Sequence, residues 1–236
     1  MNENPANVDP SETGRFDRLA ARWWDANADS RALHDINPAR VGYITARLHV
    51  PGARIADVGC GGGILSEALA AAGAVVTGID RAPRVLEVAR LHLHESGLRV
   101  DYLETDAEQL AAERPATFDA VTCMELVEHV PDPGSLIDAC ARLLKPGGRL
   151  FVSTLTRTPV AFAGAIIGAE YLLGLLPRGT HHYESFLRPS ELAALLRRAG
   201  LVLDDVSALS YNPLTRKASV GGQVMVNYLA TAAKPA

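Results

Sequence analysis

"DVGCGGGILSEALAAAGAVVTGID", Asp57 to Asp80, places four glycines within five residues and an aspartate at each end. Just upstream, "RIADV" has the length and apolar content of a strand. Ile64 to Ala72 then repeats apolar residues at helical spacing, and "VVTGI" reads as a second strand. The glycines therefore stand where a strand turns into a helix. Gly59 suits the tight turn, Gly61 a close approach of backbone to a ligand, and Gly63 tight helix–strand packing. Asp80 closes the next strand, where a carboxylate can accept hydrogen bonds from ribose hydroxyls.

Outward from this unit the alternation continues. Pro83 to Ser96 reads as a helix, "RVDYL" as a strand, Ala107 to Glu113 as a short helix and "FDAVTCM" as a strand. A helix over Gly134 to Leu144, a turn at "KPGG" and the strand "RLFVSTL" follow. Beyond them come a helix over Ser190 to Ala199 and two strand-like runs, "LVLDDVSAL" and "GQVMVNYLATA". This pattern predicts an α/β fold: a seven-stranded, mostly parallel sheet with helices on both faces.

On the N-terminal side, Phe16, Leu19, Ala20 and Trp23 fall at helical spacing. Asn37-Pro38 reads as an N-cap and first-turn proline, starting a helix that runs to about Leu48. The expected organisation is a flexible lead-in over 1–10, a helical cap over 11–50, and the α/β domain over 51–236. An insertion at 156–187 lies near the carboxyl ends of the strands, where ligands of such sheets bind.

Bulk properties narrow the classes. The chain has 236 residues, and 23 Lys+Arg against 27 Asp+Glu leave a net charge of −4. That balance excludes the basic footprint of a nucleic-acid binder. Cys60, Cys123 and Cys140 form no CxxC pair, which suits neither a disulfide framework nor a zinc site and points to a reduced, cytoplasmic protein. The polar "MNENPANVDPSETG" has no apolar signal-peptide core. The longest apolar stretch, Val160 to Leu176, carries Glu170 and is bracketed by Pro159 and Pro177. It reads as a buried or interfacial helical pair and not as a span.

The glycine loop alone permits several nucleotide ligands, a nicotinamide among them. Its spacing, G-C-G-G-G, differs from G-x-G-x-x-G, and Asp57 stands two residues before the first glycine. A pyrophosphate needs no carboxylate beside it, whereas a ligand with an ammonium group does. The pattern points to S-adenosylmethionine, with Asp57 near its amino group and Asp80 on its ribose. "ELVEHV" places Glu125, Glu128 and His129 at i, i+3 and i+4. That spacing can share a divalent cation, with oxygen-rich ligation favouring Mg²⁺. A solvated acidic turn, or His129 alone as general base, fits the same spacing. His181 or His182, in "RGTHHYESF", is a second candidate base or substrate contact.

"DVGCGGG", "GID", "FDAVTCMELVEHVPDP" and "LLKPGG" together resemble a class I methyltransferase. More narrowly, "RWWD", "LHDINPARVGYI", "CMELVEHVPDP", "STLTR", "GAEYLL" and "GTH" resemble the ubiquinone-biosynthesis O-methyltransferases, from about Asn7 to Tyr228. The resemblance implies cofactor contacts at Arg40, Gly59, Asp80 and Met124. Arg40 would pair with the methionine carboxylate and Met124 would pack on adenine. Asp106 stands where many class I enzymes contact the adenine amino group. The resemblance includes eukaryotic relatives in which the Glu-Glu-His triplet is regarded as a magnesium site.

It further implies polyprenylated phenol and quinol substrates, namely 2-polyprenyl-6-hydroxyphenol and 3-demethylubiquinol. With them come peripheral contact with membrane lipid, through an apolar lid rimmed by Arg157, Arg178 and Arg188, and a place among other ubiquinone-biosynthesis proteins. A nicotinamide-dependent oxidoreductase and a non-catalytic lipid-binding partner remain open at this point.

Overall fold

In the computed structural model, the described residues are 7–28, 30–161 and 183–236. The N-terminal cap consists of helix α1 (Pro10–Leu19), a 3-10 turn (Ala20–Arg22) and α2 (Arg31–Thr45). Four strand–helix repeats and a fifth strand follow: β1 (Arg54–Val58), α3 (Ile64–Ala71), β2 (Val75–Asp80), α4 (Pro83–Ser96), β3 (Val100–Glu104), α5 (Ala107–Glu113), β4 (Phe118–Met124), α6 (Pro133–Leu143) and β5 (Leu144–Leu155). After α7 (Pro159–Ala161) the chain continues through α8 (Pro189–Arg198), β6 (Val202–Asn212), β7 (Lys217–Val220) and β8 (Asn227–Ala233).

All eight strands join one sheet in the order β3-β2-β1-β4-β5-β8-β6-β7. Neighbours from β3 through β5 pair in parallel, and β8 runs antiparallel to both β5 and β6. Strand order reverses between β1 and β4, so their carboxyl ends flank the crevice in which such sheets bind ligands. β1 and β4 read as near-continuous apolar runs because helices cover both faces. One core lies under α5, α6 and α8 around Phe118, Ile137 and Leu196. The other lies under α2 and α3 around Ile44, Ile55 and Leu69.

Two expectations change. The sheet has an eighth strand: Lys217–Val220 folds back on β6 as an edge hairpin. Its turn is an Asx turn, in which Asn212 Oδ1 accepts from the N–H groups of Leu214 and Thr215. So short and polar a strand carries little periodic signal. Pro38 does not begin a helix either; it lies inside α2, which starts at Arg31. The buried face of Ile36, Tyr43 and Ile44 carries the helix through the proline. Asn37, expected as a cap, instead donates from Nδ2 to Ile64 O on α3 at 3.1 Å.

No helix among the described residues is long and apolar enough to cross a membrane. His181, His182, Arg178 and nearly all of Val160 to Leu176 lie outside the described residues.

Candidate active site

A cavity of about 750 Å³ opens at the carboxyl ends of β1, β2 and β4, a size suited to a small-molecule ligand. Every residue singled out in the sequence for cofactor or catalysis, His181 and His182 apart, lines it.

The glycine loop forms one wall. Gly59, Gly61 and Gly63 hold φ of +71°, +53° and +88°, a region open to glycine and costly for other residues. A Cβ on Gly61 would stand 2.5 Å from Trp23 Cζ2, and one on Gly62 only 2.3 Å from Trp23 Cδ1. The close approach at Gly61 is therefore made by an indole of the N-terminal cap. Next to it, Trp24 Nε1 donates to Gly62 O at 2.9 Å. Asp80 closes the loop from the other side, accepting from the N–H groups of Gly61 and Ala82 at 2.9 and 2.8 Å. Each of its oxygens retains a lone pair for a ribose hydroxyl.

Asp57 lines the cavity, and its carboxylate is engaged behind the loop. It is buried, with Ser66 Oγ donating to one oxygen at 2.5 Å and Thr122 Oγ1 to the other at 2.7 Å. Burial raises its pKa against these two bonds. It braces β1, α3 and β4 behind the loop. Asp106 N-caps α5, accepting from Gln109 N–H at 2.8 Å, and Met124 lies buried at the end of β4.

At the end of β4 the backbone departs from ordinary geometry: Glu125 has φ +49°. Such strain in a non-glycine residue persists where the surroundings over-determine it. Here Ser153 Oγ accepts the Glu125 N–H at 3.0 Å and donates to Glu125 Oε1 at 2.7 Å. The other carboxylate oxygen pairs with Arg40 Nη1 at 2.8 Å. Arg40 Nη2 donates to Leu33 O at 2.9 Å. Its Nε, buried at the cavity wall, has no hydrogen-bond partner. A buried guanidinium donor left unpaired beside an open cavity fits an anionic ligand group.

The helical face expected of "ELVEHV" is not formed. Only Val127–His129 makes a 3-10 turn, and Glu125 precedes it in the left-handed region. The three side chains consequently part. Glu125 goes to Arg40 and Ser153, Glu128 accepts from Thr154 Oγ1 at 2.8 Å, and His129 Nδ1 meets Glu12 Oε2 at 2.9 Å. Among the described residues no three His, Cys, Asp or Glu side chains gather to hold a metal ion. The donor chemistry suits Mg²⁺; this arrangement does not.

Glu128 is buried, which raises its pKa. For His129, burial opposes the charged form, but the bond to Glu12 and the charges of Glu128 and Glu12 prevail and raise its pKa above 6.5. Phe16 meets the His129 ring edge-on at 5.5 Å.

Over its whole length the chain is 57% identical to the ubiquinone biosynthesis O-methyltransferase of Xanthomonas campestris pv. campestris strain B100, whose length is likewise fully covered. It is 56% identical to that of Xanthomonas euvesicatoria pv. vesicatoria, again over the full length of both. The chain belongs to the ubiquinone biosynthesis O-methyltransferase family. Residues 56–152, from β1 to β5, also match the methyltransferase domain family. The fold of this O-methyltransferase is that of the magnesium protoporphyrin IX methyltransferase of Synechocystis, solved with bound SAH. The two superpose with a TM-score of 0.69 at 20% identity, over 94% of this chain and 99% of the other. Family membership sets aside the oxidoreductase and the non-catalytic partner.

Several residues that build the site of this O-methyltransferase gave no sign of their site roles in the sequence. Glu12, Ser153 and Thr154 acquire their roles from contacts across 26 to 117 positions. Trp23 was legible as an apolar helical position and within "RWWD", but not as a neighbour of the glycine loop.

Proposed function

We propose that the chain transfers a methyl group from S-adenosylmethionine to ring hydroxyls of polyprenylated phenols and quinols, with His129 taking the phenolic proton. The observation that carries the proton step is the Glu12–His129 contact. An ionised Glu12 only accepts, so Nδ1 carries the hydrogen and the neutral ring presents its lone pair on Nε2. A phenol has a free pKa near 10, so a base with a pKa lifted above that of ordinary histidine lowers the barrier to its ionisation. Bound S-adenosylmethionine supplies a sulfonium-activated methyl for direct attack by the ring oxygen. Asp80 and Arg40 orient the ribose and the methionine end, and the buried setting of Met124 excludes water beside the adenine. Glu125 holds Arg40 in place, and Glu128 adds negative charge that favours the imidazolium after proton uptake.

No step is routed through magnesium, because Glu125, Glu128 and His129 each have another partner and do not gather. For membrane contact, the apolar run of Val160 to Leu176 and the lipid-soluble tail of the substrate support a peripheral, cytoplasmic-face location. Placing charges at Ile166 and Ile167 is expected to reduce sedimentation with anionic liposomes; unchanged sedimentation would count against that contact.

The test is methyl transfer from labelled S-adenosylmethionine to a short-tailed catechol and a short-tailed demethylated quinol. Both products are expected from the intact chain, with His129→Gln slowed by about 10²–10⁴-fold. An unchanged rate in His129→Gln would remove the histidine from this role, and absence of both products would overturn the substrate class.

A further inference from the structure

Buried side-chain donors and acceptors are nearly always paired, so exceptions ask for a missing partner. Three of the unpaired atoms among the described residues belong to side chains that line the cofactor cavity: Trp23 Nε1, Arg40 Nε and Asn227 Oδ1. Trp23 is 5% exposed, and its indole lies against Gly61 and Gly62. The Trp23 backbone is fixed. Its carbonyl accepts from Ser30 Oγ at 2.7 Å and His34 Nε2 at 2.8 Å. Ile64, Val85, Phe16 and Leu33 pack around the side chain.

An indole N–H donates and never accepts, and the same holds for a guanidinium Nε. Two buried, unpaired donors therefore belong to residues of the cavity wall, both from the N-terminal cap. They are structurally connected: Arg40 Nη2 donates to Leu33 O, and Leu33 packs on the Trp23 cluster. Two donors without acceptors call for an anion, and the carboxylate is the strongest acceptor on S-adenosylmethionine. The adjoining Glu125 carboxylate, paired with Arg40, offers the complementary sign to the ammonium of the same zwitterion.

We infer that Trp23 Nε1 donates a hydrogen bond to the methionine carboxylate of the cofactor, making the indole a second anchor beside Arg40. The inference rests on the reading of this cavity as the cofactor's. It also gives the cap a selective role: nucleosides that lack the amino-acid end gain nothing from Trp23. Gly61 and Gly62 are then small so that the indole can reach across the loop.

Calorimetric titration of the full chain with S-adenosylhomocysteine and with 5′-methylthioadenosine, which lacks the amino-acid end, tests this. Trp23→Phe keeps an apolar ring and removes the N–H. It is expected to weaken S-adenosylhomocysteine by about tenfold or more and to leave methylthioadenosine unchanged. Equal losses for both ligands, or no loss for either, would overturn the inference. A measurement on the unmutated chain guards against misfolding. With only two tryptophans, ¹⁵N-indole spectra are simple to read. The Trp23 N–H resonance is expected to move with S-adenosylhomocysteine and to stay with methylthioadenosine; identical responses would overturn the inference. Failure of the intact chain to bind S-adenosylhomocysteine at all would instead refute the cofactor reading itself.

Discussion

Glu12 Oε2 and His129 Nδ1 lie 2.9 Å apart, joining α1 to the turn after β4 across 117 positions of chain. The contact has consequences for both rate and stability. His129 is raised above 6.5 and Glu12 is lowered below 4.5, where burial is outweighed by the histidine's hydrogen bond and charge. Besides these two, Glu128 and Arg15 act on the histidine. As a base His129 must be neutral, so the acid limb of kcat/KM is expected above pH 6.5. Glu12→Gln keeps an acceptor for Nδ1 but removes the charge, and should move that limb to lower pH. A pH–rate profile measures it; an unmoved limb would separate Glu12 from the chemistry.

The same pair predicts a stability window. A raised histidine stabilises below its unfolded value of 6.5 and loses that contribution as pH rises through its folded pKa. A lowered carboxylate stabilises above its unfolded value of 4.5 and loses it as pH falls through its folded pKa. The pair therefore contributes fully between pH 4.5 and 6.5. The melting-temperature difference between the intact chain and Glu12→Gln should be largest in that interval and shrink by pH 9.

Gly61→Ala places a Cβ at φ +53° and 2.5 Å from Trp23 Cζ2. Backbone strain of about 1–2 kcal/mol adds to overpacking of similar size, giving a melting temperature at least about 5 °C lower. Gly147→Ala, at φ +77° with nothing near its Cβ, carries the strain without the collision and should lower it less. Differential scanning calorimetry compares the two.

Asp80→Asn loses the charged acceptor for Gly61 N–H and for a ribose diol. S-adenosylhomocysteine is expected to bind about 10–100-fold more weakly. Methylthioadenosine, which keeps the ribose, should weaken in parallel. That parallel loss is the opposite of the pattern expected from Trp23→Phe, and the same titrations read both.

Because Glu125, Glu128 and His129 each have another partner, methyl transfer is expected to persist in excess chelator. Loss of activity restored by Mg²⁺ would show that these side chains leave Arg40, Thr154 and Glu12 to gather on a cation.

Much of the fold was readable along the chain because its signals are local. The turn from β1 into α3 is written in glycines that must take positive φ. The parallel strands announce themselves as apolar runs. The edge strand β7 and the true start of α2 were not readable, since tertiary packing overrides weak or contrary local preference at both. The site divides along the same line. By itself the sequence determined that a glycine loop, Asp80 and the segment after β4 meet at one end of a parallel sheet, because chain connectivity brings strand ends together. Only the tertiary structure decided what each side chain faces. It turned Asp57 inward to Ser66 and Thr122, took Glu125 and Glu128 to separate partners, and brought Glu12 and Trp23 from the N-terminal cap into the cavity. Such contacts depend on the direction of side chains across long sequence separations, and no short stretch of residues encodes them.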